Sequence, residues 1–531
     1  MTGDAELSAD GFDADVIIVG AGSAGCAVAR RLIDRGDVRV LVLEAGGPDE
    51  NPAIHDPARF HELWLAPEDW AYHTVPQRDA AERALHWPRG RVLGGSSSLN
   101  GLIHARGART DYERWVAMGN DGWGWEDVLP VFRRMEDFDG GESELHGVGG
   151  PLSILSRYEL APVHAAILAA AGEVGISHNP DYNSGVLDGA SQQQLTIRDG
   201  RRESAATAYL RPVMGAPNLR VLTGADVHRL LLSGGACVGV QWQRSGRLES
   251  AGAGSEVVVC AGAIGSPRLL MLSGIGPASH LGPLGLDVAV DLPGVGENLH
   301  DHLLSPAIFA AHRRIEPPTP GLSPIQTHLW WRSRPGLRGP DTQPIHFSVP
   351  LYEDWMEGPA NAFTLMGGMV APHSRGTVRL SGPDPGDALV IDPRILSEPE
   401  DLVSLAASLA QVRDMGAAAA LREWGARELY PGPRVRTAAQ LRDYVRRTAI
   451  SYHHQVGTCR MGADILAVVD ARLRVHGVSR LRVADASVMP AVTSGNTNAP
   501  SLMIGERAAD FVAADAAVSA MEPAPVRDLF A

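Results

Sequence analysis

The chain has 531 residues, 44% of them apolar and 21% charged, and a formal net charge of −15. That length is too great for one hydrophobic core and predicts two domains or one large composite unit. The charge argues against nucleic acid or an anionic membrane as the main partner, and no apolar run approaches the roughly 18 residues a membrane span needs.

The first element is Phe12 to Gly47. Val16 to Val19 is an unbroken apolar run, short enough for a strand buried on both faces of a parallel sheet. Gly20, Gly22 and Gly25 follow as G-x-G-x-x-G, a small-residue helix runs to about Asp34, and Val38 to Leu43 reads as a second strand ending in Glu44. In that arrangement the first glycine permits the tight turn and the second lets backbone approach a pyrophosphate. The third lets the helix lie close on the sheet, and the helix N-terminus faces the anion. Glu44 stands 19 residues past Gly25, where a carboxylate can hold both ribose hydroxyls and repel a 2′-phosphate, which argues against NADP. A dinucleotide site is expected here.

A loop-rich stretch, Gly47 to His86, precedes Gly94-Gly95-Ser96-Ser97-Ser98, which is poor helix interior and suits backbone wrapped round a ligand. Two helices around a Gly/Trp turn are predicted over Asp111 to Asp137 and another over Pro162 to Val174, followed by a helical stretch at Ala205 to Leu210. Strands are predicted at Leu219 to Leu222, His228 to Leu232, Cys237 to Arg244 and Glu256 to Cys260, then a helix at Ile264 to Ser273. Between Leu303 and Thr448 strand-like runs (Ile345 to Val349, Phe363 to Val370, Gly376 to Leu380) and helices at Pro399 to Met415 and Ala438 to Arg447 suggest a mostly antiparallel sheet with flanking helices. A strand at Leu481 to Ala484 and an amphipathic helix at Pro500 to Ala514 close the chain. Cys26, Cys237, Cys260 and Cys459 have neither disulfide nor metal spacing, and the first dozen residues lack a basic n-region and an apolar h-region; a cytoplasmic location is expected.

Six blocks then carry a resemblance: V-G-A-G-S-A-G-C from Val19, P-R-G-R-V-L-G-G-S-S-S-L-N-G from Pro88, G-A-I-G-S-P-R-L-L-M-L-S-G-I-G-P from Gly262, Y-H-H-Q-V-G-T-C-R-M-G from Tyr452, L-R-V-A-D-A-S-V-M-P from Leu481 and N-T-N-A-P-S-L-M-I-G-E-R from Asn496. In these, from about Asp13 to Ala514, the chain resembles the glucose–methanol–choline (GMC) oxidoreductases, and most of all their bacterial FAD-linked alcohol and choline dehydrogenase-like branch. The resemblance implies an α/β fold with a Rossmann-type FAD domain of discontinuous segments (13–155, 203–302 and 446–518) and a substrate domain (156–202 and 303–445). It also implies FAD, an alcohol substrate, and oxygen or a quinone-like carrier as acceptor, in a monomer or homodimer. Carried over by position, Gly20, Gly22, Gly25 and Glu44 bind the ADP half of FAD, and Gly94, Gly95, Ser96 and Asn100 line flavin and pyrophosphate. Val227 meets the adenine through its backbone, and Asp485 reaches the ribityl and pyrophosphate region. Ser23, Arg91, Gly101, Ala486, Asn496 and Thr497 are further cofactor positions in the same blocks, with Ala45 after Glu44 and Ala261 before Gly262 beside them. His454 matches the active-site histidine and Asn498 the second polar residue.

Alcohol oxidation needs a base for the hydroxyl proton, and neutral imidazole suits that task. His454 is preferred to the adjacent His453 from the register of V-G-T-C-R-M-G, and Asn498 is expected either to hold the developing alkoxide or simply to cap a helix. Two departures from the choline oxidases matter. Leu99 stands where those enzymes tether FAD through a histidine, so non-covalent FAD is expected. Leu304 stands where they place a glutamate against the trimethylammonium, so an uncharged primary alcohol is expected over choline. His346 matches a substrate-side histidine or is a structural strand residue, and Trp330 and Trp331 are candidates for an aromatic cage. His300-Asp301-His302 has no third ligand at metal spacing, so no metal is expected. The alternatives are a choline-oxidising activity and a non-redox hydroxynitrile-lyase activity on the same fold.

Overall fold

In the computed structural model, residues 12–36 and 38–521 are described, the side chains of 517–521 excepted. The residues bearing on a signal peptide lie almost wholly outside that range. Strand β1 (Ala14–Val19) leads through Gly20 into helix α1 (Ser23–Ile33), and β2 (Val40–Glu44) follows. Gly20 has φ +100°, and a Cβ there would lie 2.5 Å from the Cys260 carbonyl oxygen, so this turn admits only glycine. Strands β3 (Leu219–Thr223), β4 (Asp226–Ser233), β5 (Ala236–Arg244) and β6 (Arg247–Val259) complete the sheet, in the order β3-β2-β1-β6-β5-β4. The β3-β2-β1-β6 side is parallel and β6-β5-β4 is an antiparallel meander. Leu481–Val483 returns from the far end of the chain to pair in parallel with the end of β6. The inner parallel strands β1 and β2 are buried almost throughout, which explains their apolar runs, whereas the edge strand β3 is only partly buried. β6 is longer than the expected Glu256 to Cys260 because its first half, S-A-G-A-G, has no β-branched residue to mark it.

The second sheet is antiparallel. Strands β7 (Leu303–Ala310), β8 (Ile325–Trp330), β9 (Ile345–Phe347) and β10 (Ala362–Met369) are ordered β7-β10-β9-β8, with Arg427–Tyr430 beyond β7 and Gly189–Gln192 beyond β8. Pro306 falls between the two short strands that share the outer edge of β7, Ile450–Ser451 against Leu303 and Leu304 and Arg427–Tyr430 against Ile308 to Ala310. A proline, which has no N–H to donate, is tolerated where that edge is unpaired. Helix Pro399–Gly416 covers this sheet, and the helical alanine-rich run breaks after Gly416 before resuming at Ala419–Arg422. Ala205 to Leu210 forms a π-type turn over Ala206–Leu210. The terminal helix α2 (Asn498–Met521) begins two residues earlier than the proline pattern suggests and packs along α1. The edge between the two sheets is where the cavity opens. Among the described residues no helix is long and apolar enough to cross a membrane.

Candidate active site

One cavity of about 690 Å³ runs from the β1–α1 turn to the second sheet. Gly20, Gly22, Ser23, Glu44, Ala45, Val227, Ala261, Asp485 and Ala486 line its dinucleotide half, Gly95, Ser96, Asn100 and Gly101 its middle, and Asn496, Thr497 and Asn498 lie near the far half. Four expected residues lie outside the lining. Gly25 backs the turn, where a Cβ would sit 1.9 Å from the Gly20 carbonyl oxygen, and the Gly94 N–H donates to Ala21 O. The Arg91 guanidinium lies 4.9 Å above the Trp70 ring. His346 is turned away from the cavity: its Nδ1 faces Thr327 Oγ1 at 3.0 Å, and Thr327 in turn bonds His164, behind the sheet. Ile345 and Phe347 take the cavity face instead, as the alternation of β9 requires.

The dinucleotide half fits its expected ligand. A Cβ on Gly22 would meet only the Gly95 Cα, at 3.9 Å, so the backbone there is open to a close neighbour. Glu44 accepts the Ala21 and Gly46 N–H groups at 2.8 Å each, which holds the carboxylate at the cavity wall with lone pairs to spare for hydroxyls. Burial lifts its pKa to about 7 against the pull of those two N–H groups. Asp485 is bound by the chain itself, accepting from Gly262 N, Ser266 Oγ and Ser487 N, so it ties its own turn to the start of helix Gly262–Leu272 at the cavity wall.

His454 is placed by a buried carboxylate. Asp301 accepts the His454 N–H at 2.7 Å and Gln455 Nε2 at 2.9 Å, and takes a further bond from Ser451 Oγ. Ser451 Oγ also accepts the His453 N–H, and Arg89 donates to the His453 carbonyl at 2.6 Å. His453 is held at φ +67°, in the left-handed region, where the surrounding bonds keep it. The twist sends the two imidazoles apart. His453 packs edge-on against Trp64, ring centres 5.3 Å apart, while His454 stacks on Tyr452 at 4.5 Å. His454 Nδ1 lies 3.0 Å from His302 Nδ1, and its Nε2 accepts from Asn496 Nδ2 at 3.1 Å. Burial, then the neighbouring His302, His453 and Arg89, hold the His454 pKa well below the ordinary range, so the ring is neutral.

The second polar residue at the imidazole is thus Asn496. Asn498 Oδ1 instead accepts from Ser23 Oγ at 2.7 Å, joining the first residues of α1 and α2 on the dinucleotide side. Two residues apart at a helix start, the two asparagines point to different partners, and spacing alone did not distinguish them. His302 and Gln343 were not anticipated either. His302 sits in the H-D-H run read only for metal spacing; His300 is spent on Asn298 O and Val492 N, and Asp301 on the His454 loop.

Beyond His454 the cavity is apolar. Phe60, Ile103, Leu304, Ile325, Ile345, Phe347 and Met366 line it, with Glu353 and the exposed Asp354 on the 348–361 loop. Leu304 lines the cavity near the start of β7, while His302, just before that strand, lies behind His454 with its Nδ1 against the imidazole. Trp330 does not: its Nε1 donates to Ser494 O and its ring packs on Tyr182 and His328.

Family models described as GMC oxidoreductase match residues 14–304 and 372–505. The chain belongs to the GMC oxidoreductases. An oxygen-dependent choline dehydrogenase of Rhizobium rhizogenes is 38% identical over 94% of this chain and 96% of its own. An uncharacterized GMC-type oxidoreductase of Mycobacterium tuberculosis is 41% identical over 94% and 99%. Among solved structures, pyridoxine 4-oxidase from Mesorbium loti superposes with TM-score 0.90 at 38% identity, covering 94% of this chain and 99% of that one. A formate oxidase of Aspergillus oryzae RIB40, in work on its FAD modification, gives 0.88 at 26%, covering 96% and 99%. This GMC oxidoreductase is therefore a flavoprotein whose cofactor is FAD, and the G-x-G-x-x-G turn, Glu44 and the open backbone at Gly22 are the residues that would hold it.

Proposed function

We propose that this GMC oxidoreductase oxidises an uncharged primary alcohol to the aldehyde, with His454 as the base. The observation that carries the reading is the neutral His454 ring, its Nε2 already accepting a hydrogen bond at the boundary between the cofactor half and the apolar half of one cavity. Bound FAD supplies the acceptor for the hydride that leaves the carbinol carbon. His454 Nε2 takes the hydroxyl proton, a task for which a neutral imidazole needs no prior deprotonation. Asn496 Nδ2 donates at the same place and can follow the oxygen as negative charge grows on it. The apolar wall excludes water and holds a hydrocarbon chain, gaining about 0.8 kcal/mol per buried CH₂.

Leu304 lines the cavity and offers a cation no counter-charge, and neither Trp330 nor Trp331 is among the lining residues. The relatives named choline dehydrogenases favour the second reading, and Glu353 at the loop is the carboxylate that would serve it. Comparing kcat/KM for choline with that for its isostere 3,3-dimethylbutan-1-ol decides between them. We expect the neutral alcohol to win by at least tenfold, because a desolvated cation without its partner loses several kcal/mol. A clear preference for choline, abolished by Glu353→Gln, would replace the first reading by the second. Anaerobic bleaching of the flavin by either alcohol separates both from a lyase.

The FAD should be non-covalent. Leu99 lines the cavity with an unreactive side chain. Acid precipitation is expected to leave all the yellow colour in the supernatant, and a washed pellet that stays yellow would refute it.

A further inference from the structure

We propose that Gln343 is a positioning residue that fixes the amide orientation of Asn496, and through it the tautomer in which His454 can accept a proton. The inference rests on the reading of His454 as the base. Gln343 Nε2 donates to Asn496 Oδ1 at 3.1 Å, while Asn496 Nδ2 donates to His454 Nε2 at 3.1 Å. The two ends of an asparagine amide are nearly equal in shape, so only its hydrogen-bond partners decide which end faces the imidazole. With nitrogen toward the ring, His454 Nε2 must carry the lone pair, and the one ring proton sits on Nδ1, against His302 Nδ1 at 3.0 Å. With the amide reversed, Oδ1 would demand a proton on Nε2. The free lone pair would then point at His302 and away from the cavity, and the base would be lost without any change in its position.

Gln343 is itself held for this task. It is wholly buried just before β9, and its N–H donates to Gly368 O on β10 at 3.1 Å. Its Oε1 is buried without a partner. A leucine of similar volume would leave no unpaired acceptor in the same place, so packing does not account for a glutamine. Among the described residues the only bond its side chain makes is the one it gives to Asn496. The other groups facing His454 are His302, His453, Arg89, the Tyr452 ring and Asp301, which accepts the backbone N–H. None of them bonds the Asn496 side chain among the described contacts.

The test is anaerobic flavin reduction in the FAD-loaded enzyme, with Gln343→Glu and Gln343→Leu, across pH 5.5 to 9, using a saturating primary alcohol and resolving limiting rate from apparent Kd. In Gln343→Glu the ionised carboxylate only accepts, so Asn496 turns its nitrogen to it. The limiting rate is expected to fall about 100-fold at pH 8, the lower end of a general base's contribution, with Kd changed less than threefold. Protonating that carboxyl restores a donor, so the rate should climb as pH falls, opposite to the parent enzyme. Gln343→Leu leaves Asn496 free to turn either way and should lose only about twofold, the fraction in the productive orientation, with the parent's pH profile. A Gln343→Glu profile parallel to the parent's, or equal losses in both variants through lost FAD, would overturn the proposal. His454→Ala in the same series separates the two readings. If it keeps the parent's rate, the base assignment fails and this inference with it; if it is slow while Gln343→Glu behaves as parent, only this inference fails.

Discussion

Replacing His454 by alanine is expected to leave FAD bound and to slow flavin reduction by alcohol on the order of 10² to 10⁴-fold, the usual contribution of a general base. The residue touches no part of the dinucleotide half, so cofactor content and fold should survive. His453→Ala should cost far less, because that ring is turned to Trp64 and its role in the loop runs through its backbone N–H and carbonyl. The asparagines should divide in the same way. Asn496→Ala removes the donor beside the imidazole and should lower the limiting rate, whereas Asn498→Ala breaks the bond to Ser23 and should weaken FAD retention first. Stopped-flow reduction with FAD content measured on the same samples gives both readouts. Equal losses for His453 and His454, or a rate defect confined to Asn498→Ala, would reverse the assignment.

The fold should be lost steeply below pH 6.5. His104, His164, His300, His302, His328, His346 and His454 are buried and His453 is half-buried, and desolvation pushes each below its ordinary range, His164 to about 4 and His302 to about 3. A folded-state pKa below the unfolded one means that the unfolded chain binds the proton first. The stability these rings contribute is therefore complete above about pH 6.5 and falls as pH drops toward their folded values. Glu44 and Asp301, lifted by burial to about 7 and about 6, work in the opposite direction, as does His146, whose bonds to Asp181 and Glu136 outweigh its burial. The lowered rings outnumber these three raised groups, so unfolding takes up protons as pH falls below about 6.5, and each proton taken up is worth about 1.4 kcal/mol per pH unit. Urea midpoints at pH 7.5, 6.5 and 5.5, followed by near-ultraviolet circular dichroism, should fall sharply over the last interval. A midpoint equal at pH 7.5 and 5.5 would show that these rings take up protons in place.

By itself the sequence determined those parts of this protein in which local chemistry leaves one solution. The strand, the G-x-G-x-x-G turn, the helix and the acid at the end of the next strand are such a case, because the tight strand-to-helix turn with positive φ at Gly20 follows from that local pattern. Buried inner strands announce themselves as apolar runs, and the end of the helix expected over Pro399 to Met415 was legible because glycine, here Gly416, is a poor helix interior. Where strands lie in mixed surroundings the signal fades. β7 carries a proline that is acceptable only because two short partners leave a gap beside it, and β8 mixes glutamine, threonine and histidine on a strand that is buried on both faces. The tertiary structure alone decided the site. Both neighbouring histidines line the cavity, and which of them meets Asn496 depends on a left-handed backbone at His453 that bonds from Ser451, Asp301 and Arg89 hold in place. Which of two asparagines meets the imidazole depends on Gln343 and Ser23, 153 and 475 residues away along the chain. His346 faces the wrong side of its sheet for a substrate because Ile345 and Phe347 take the other side. Side-chain direction in such places is set by the partners that satisfy buried polar atoms, and those partners come together only when the two sheets close on one cavity.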